Sequence, residues 1–159
     1  MWFLERLKDA AEGRVAGIDY GTVRIGVALA DLEIGIASPL ETYTRGDETA
    51  DQGYFGRLAE EEQLIGFVVG LPVHLSGEES QKSYEARQFA DWLGQLTGLE
   101  VALFDERFTT SQAEQALLGA GLTKKRRKAR RDQLAAQIML AGYLESRTRG
   151  IEPPRGLDD

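Results

Sequence analysis

The chain contains no cysteine, which excludes a disulfide framework, a thiolate zinc site and a cysteine nucleophile. Histidine is almost as scarce. The single one, His74, falls in a stretch that reads as a loop, where a solvated role is commoner than a phosphate contact or proton shuttle. No apolar run approaches the roughly 20 residues that cross a bilayer, so no membrane partner is expected. The N-terminal stretch starts apolar but carries Glu5, Arg6, Lys8 and Asp9. It lacks the apolar core and cleavage site of a signal peptide, and a cytoplasmic location is the expectation. What remains is ordinary for one soluble domain: 159 residues, 42% hydrophobic and 28% charged.

The net charge of −7 argues at first against a polyanionic partner, but the average misleads. Lys124, Lys125, Arg126, Arg127, Lys128, Arg130 and Arg131 place seven of the 19 basic residues in eight positions. Without them the chain has 12 basic against 26 acidic residues, a net −14. A solvated helix start is the bland reading of this run. Seven crowded like charges favour a nucleic-acid phosphate backbone instead, with salt-dependent contact and little sequence information.

Periodicity places the elements. Residues 1–13 form a short extension whose Trp2, Phe3, Leu4 and Leu7 fit an amphipathic helix, packed on the domain or on a partner. Strands are expected at about 14–19, at 24–30 with Ile25, Val27 and Leu29 alternating, and at 34–42, where Pro39 marks an edge or bulge. A helix over about 48–64 ends at Gly66, and the apolar run 67–70 reads as a strand buried on both faces. Ser76 to Glu79 has the form of a capping box opening a helix that stops at Gly98. A short strand over 101–104 follows. A second capping box, Ser111 to Glu114, opens a helix ending near Gly119 and Gly121, and a last helix spans about 130–147. Residues 149–159 read as a disordered tail, leaving 14–148 as the domain. A three-strand antiparallel meander followed by two parallel strands gives a mixed five-stranded α/β sheet flanked by helices. That is the layout of the RNase H-like fold.

Acids fall at the ends of these elements. Asp19 closes strand 1, on the face of Val15 and Gly17, and Asp105 and Glu106 close the last strand. Because faces alternate, only one of that pair can share the direction of Asp19. Asp132 opens the last helix above Ala135, Ala136 and Met139, the small and apolar side. Each has an ordinary explanation: a turn-starting Asp19, an Asp105–Arg107 ion pair, a helix-dipole role for Asp132. Together, three carboxylates on one sheet edge repel unless a divalent cation neutralises them. Oxygen-only donors favour Mg²⁺ or Mn²⁺. Tyr20, next to Asp19, points to the opposite face and is expected to be buried, and Trp92 reads as structural.

Four segments, IDYGTVRIGVALAD, VVGLPVHLSGEES, FDERFTT and RDQLAAQIMLAGYL, together resemble the RuvX/YqgF family of RNase H-like nucleases over about residues 14–147. The resemblance implies that Asp19, Glu106 and Asp132 are metal-binding catalytic acids, with Asp105 as an outer or alternate ligand. It also implies roles near the site for Arg24, as a nucleic-acid contact, and for Thr109 and Thr110. The implied activities are Holliday-junction resolution and 5′-end maturation of the small-subunit ribosomal RNA precursor. His74 and Ser76 depart from the family's usual Asn and Asp, which bears on substrate contacts of that loop. Symmetric cutting of branched DNA would require a homodimer. Two other readings compete. Asp-Tyr-Gly-Thr also resembles the phosphate hairpin of the actin, Hsp70 and sugar-kinase proteins, but those use two lobes around ATP. A non-catalytic RNA- or protein-binding module would not need all three acids.

Overall fold

The computed structural model describes residues 6–72, 80–108 and 131–148. Its strands are β1 (Arg14–Asp19), β2 (Arg24–Asp31), β3 (Ile36–Thr44), β4 (Leu64–Leu71) and β5 (Glu100–Asp105). Its helices are α1 (Glu48–Glu61), α2 (Gln81–Thr97) and α3 (Arg131–Thr148). The sheet order is β3-β2-β1-β4-β5. β1, β2 and β3 pair antiparallel, while β4 joins β1 and β5 joins β4 in parallel. This is the expected mixed sheet.

Alternation along the strands splits the core in two. Val15, Ala28, Val68 and Phe104 face α3, against Ala136, Met139 and Leu140. Ala16, Ile18, Val27, Phe67 and Val69 face α1 and α2, against Phe55, Leu58, Phe89 and Leu93. Trp92 packs in this second layer with its ring centroid 5.4 Å from that of Phe89. Helix α3 lies close to the sheet because the strands beneath it carry no side chains at key points. A Cβ built at Gly26 would overlap the carbonyl oxygen of Asp132, and one at Gly17 would sit 2.9 Å from Leu140 Cβ.

Several boundaries differ from the sequence expectation. β3 begins at Ile36 rather than residue 34, because the hairpin turn runs on to Gly35, which takes a left-handed φ of 78°. Pro39 does sit on the edge strand, beside a bulge where Val27 pairs with Glu41 and Ala28 with Pro39. Helix α1 stops at Glu61, not near 64, and Gly66 does not end it. Gln63 reverses the chain with φ 50°, and Leu64 already pairs with Arg14 in the sheet. Helix α2 is capped by Ser80, whose Oγ accepts from the Ser83 N–H at 3.1 Å. The proposed capping segment 76–79 lies outside the described residues, as do Ser111 to Gly121 and residues 149–159. Of the N-terminal extension, a 3-10 turn over Leu7–Asp9 is described. Leu7 and Ala10 are buried against this same domain. Among the described residues no helix is long and apolar enough to cross a membrane.

Candidate active site

Three acids reach the α3 face of the sheet from three elements. Asp19 ends β1, and its last partner there is Gly26 of β2. The β1–β4 ladder has already ended one residue earlier, at Ile18 opposite Val69. Glu106 opens a 3-10 turn, Glu106–Phe108, directly after β5. Its carboxylate lies over Gly70 of β4, where a Cβ would come within 2.6 Å of Glu106 Oε1. Asp132 is the second residue of α3, and the closeness permitted by Gly26 brings that first helical turn over β2.

The alternation also separates Asp105 from Glu106. Asp105 is turned away, and the Arg107 guanidinium grips it, with Nε 2.9 Å and Nη2 2.5 Å from Asp105 Oδ2. The ion pair that sequence offered as the ordinary explanation for Asp105 is therefore present. Glu106 is the acid that faces Asp19.

The electrostatics follow from this crowding. Burial, then repulsion from Glu106 and to a lesser degree Asp132, pushes the Asp19 carboxyl up to about 7, although Lys82 opposes the rise. Glu106 is also raised, by burial and by the Asp105 charge, again against the pull of Lys82. Asp132 has its own cation: Arg24 Nε donates to Asp132 Oδ2 at 3.1 Å, with the Arg24 side chain 62% exposed. Arg24 thus stands at the rim of the acid cluster, near which the family resemblance implied a role for it.

The donor set consists of oxygens alone, and burial with neighbouring carboxylates disfavours the anionic forms of Asp19 and Glu106. Such a set fits a hard divalent cation such as Mg²⁺ or Mn²⁺. Among the described residues, no three potential ligands stand close enough together to hold a metal ion between them. The acids repel one another across the site rather than share one point.

Lys82 escaped the sequence reading. Nothing marks a single lysine in a first helical turn. It reaches the acids because Ser80 Oγ donates to Pro72 O at 3.2 Å, which ties the start of α2 to the end of β4. Arg45 and Asp51 were also missed: the loop Arg45–Asp47 carries no motif, and its partners lie on another element. Tyr20 is on the opposite face as expected, stacked on Phe89 at 5.1 Å. His74, Ser76, Thr109, Thr110, Lys124, Lys125, Arg126, Arg127, Lys128 and Arg130 lie outside the described residues. Arg131, the last of the basic run, is exposed at the start of α3.

The chain is similar to known proteins over most of its length. Residues 13–146 match the family described as "RuvX: Holliday junction resolvase". A protein of Rhodopirellula baltica, named as a proposed pre-16S rRNA nuclease, is 49% identical over 150 residues, covering 94% of this chain and 87% of that protein. One of Lactococcus lactis with the same name is 38% identical, covering 84% and 94%. Among solved structures, Thermus thermophilus RuvC in complex with a Holliday junction substrate aligns with a TM-score of 0.54 at 16% identity, covering 86% of this chain and 96% of that one. A fowlpox virus resolvase bound to junction DNA gives 0.51 at 12% identity, with 84% and 97% covered. These structural matches bear on the fold, which is RNase H-like.

Proposed function

The chain belongs to the RuvX family of Holliday junction resolvases, and on that premise we propose that it is a divalent-metal-dependent endonuclease acting on structured nucleic acid. The observation that carries the proposal is the gathering of Asp19, Glu106 and Asp132 on one sheet face while Asp105 is paired away. A purely structural protein gains nothing from such a cluster, because buried acids that repel one another weaken the fold.

Asp19, Glu106 and Asp132 would hold Mg²⁺ or Mn²⁺, which when bound supplies the charge that activates water and stabilises the leaving oxygen in phosphodiester cleavage. The protein's own groups do the rest. Because the Asp19 carboxyl is pushed up to about 7, binding a cation there near neutral pH favours release of its proton. Arg24, exposed and already oriented by Asp132, offers its remaining N–H groups to a phosphate at the rim. Lys82 partly offsets the negative field that would otherwise repel the substrate. The basic run from Lys124 to Arg131 supplies sequence-independent backbone contact. If the substrate is branched DNA, symmetric cutting calls for a homodimer.

The two substrate classes named among relatives separate in one assay. Labelled four-way DNA junctions and a precursor ribosomal RNA fragment are incubated in parallel with Mg²⁺, Mn²⁺ or chelator. Metal-dependent cutting of one identifies the substrate class. Salt-sensitive binding of both without cutting would replace the nuclease by a binding module.

A further inference from the structure

We propose that Arg45, backed by the buried Asp51, is a positioning residue that fixes Asp19 by clamping the turn Tyr20–Val23 behind it. The inference rests on the nuclease reading for its consequence, but not for its geometry.

Asp19 is poorly restrained by the sheet. It lies beyond the β1–β4 ladder and is held on one side only, by β2. The four residues after it form a tight turn in which Gly21 has no room for a Cβ, since one would overlap the Arg24 carbonyl oxygen. Thr22 and Val23 are exposed and bury nothing that could anchor the turn. The anchoring comes from residue 45. Its backbone N–H donates to Val23 O at 2.9 Å. Its Nη1 donates to Tyr20 Oη at 3.3 Å and reaches Gly21 O at 3.5 Å. Three of the four turn residues are therefore tied to one side chain and its own amide.

Arg45 is itself held rigidly. Its Nε donates to Asp51 Oδ2 at 3.1 Å, and Asp51, 3% exposed in the first turn of α1, also accepts from Tyr43 Oη at 2.7 Å and from the Gly46 N–H at 3.1 Å. A carboxylate buried this deeply is tolerable only when paired and hydrogen-bonded, and these donors hold its titration below the usual carboxylate range. The guanidinium carbon also lies 5.5 Å from the Tyr20 ring centroid and 5.7 Å from that of Phe89, which itself stacks on Tyr20. A buried ion pair contributes little net stability compared with apolar packing. What this one provides is a fixed fork aimed at the residues that follow Asp19. Arg45 lies on the α1–α2 face and acts through the turn.

The test uses Arg45→Met, Arg45→Lys and Tyr20→Phe in the full chain. The last removes the acceptor hydroxyl and keeps the stacking ring. Three measurements are made: cleavage kinetics for kcat and KM, Mn²⁺ affinity by calorimetry, and amide hydrogen exchange in residues 15–24. For Arg45→Met we expect exchange in 20–23 to quicken by about tenfold while 15–18 stay protected. We expect kcat to fall roughly 10- to 100-fold with KM within about twofold, because misplacement of a reacting group costs rate rather than substrate binding. Mn²⁺ affinity should fall with kcat. Arg45→Lys should recover part of the loss, and Tyr20→Phe should show a smaller loss of the same pattern. A folded Arg45→Met with unchanged kcat and Mn²⁺ affinity overturns the proposal, as does a change confined to KM. If the wild type cuts nothing, the nuclease reading fails, and exchange with Mn²⁺ affinity still decides the clamp.

Discussion

Replacing Asp19 by Asn should stabilise the metal-free protein while abolishing its activity. The carboxyl is raised from 3.8 to about 7 in the folded state. Between those values the folded chain binds a proton that the unfolded chain has released, so stability falls as pH rises through this window, and the deficit is complete above about 7. Three units at about 1.4 kcal/mol each set a ceiling of about 4 kcal/mol. Local relaxation and water entry reduce such penalties, and about 2 kcal/mol is a realistic net gain for the neutral isostere at pH 8. For a chain of this size that is roughly 4–8 °C in Tm. Urea unfolding of wild type and Asp19→Asn, in chelator at pH 8 and at pH 4, measures it. The difference should be full at pH 8 and shrink below about 1 kcal/mol at pH 4, where the folded carboxyl is protonated and the unfolded one, at its ordinary 3.8, is protonated about 40% of the time. Adding Mg²⁺ at pH 8 should stabilise the wild type and leave the variant unmoved. A variant equal to or weaker than wild type at pH 8, or a gap that ignores pH, would refute the reasoning.

Other outcomes follow from the same structure. Gly26→Ala should cost about 3 kcal/mol or more in urea unfolding, since its methyl group meets the Asp132 backbone rather than a flexible side chain. Stability equal to wild type would mean that α3 does not approach β2 so closely. Arg24→Ala should slow cleavage by roughly tenfold and weaken substrate binding, read by single-turnover kinetics and titration; unchanged kinetics would remove Arg24 from the site. Replacing Lys124, Lys125, Arg126 and Arg127 by Ala should flatten the dependence of log affinity on log salt by up to about 3.6, near 0.9 per lost phosphate contact. An unaltered slope would exclude the run as the phosphate footprint. Analytical ultracentrifugation at micromolar concentration should show a dimer if branched DNA is the substrate; a monomer counts against symmetric junction cutting.

Much of this arrangement was legible because strand alternation is a rigid rule. Val15, Gly17 and Asp19 had to share a face, and the small residues behind Asp132 had to meet the sheet, as Ala136 and Met139 do. Choosing Glu106 over Asp105 needed the position where β5 ends, which no local pattern fixes; the family resemblance made that choice. The end of α1 was misplaced for a physical reason. Gln63 takes a left-handed conformation without the glycine or asparagine that normally announces one, and Leu64 suits a helix stripe or a strand equally well. Contacts made only by folding left no trace in the sequence. Arg45 meets Asp51 six residues away but Tyr20 twenty-five away, and Lys82 approaches the acids only because α2 begins beside the end of β4.

The most direct test is single-turnover cleavage of the preferred substrate by wild type, Asp19→Asn, Glu106→Gln and Asp132→Asn, each with Mg²⁺, Mn²⁺ and chelator. Cutting should require the metal, and each acid variant should lose at least about 100-fold in rate while still binding nucleic acid. Cutting that persists in chelator, or an acid variant that retains the wild-type rate, would contradict a three-acid metal site.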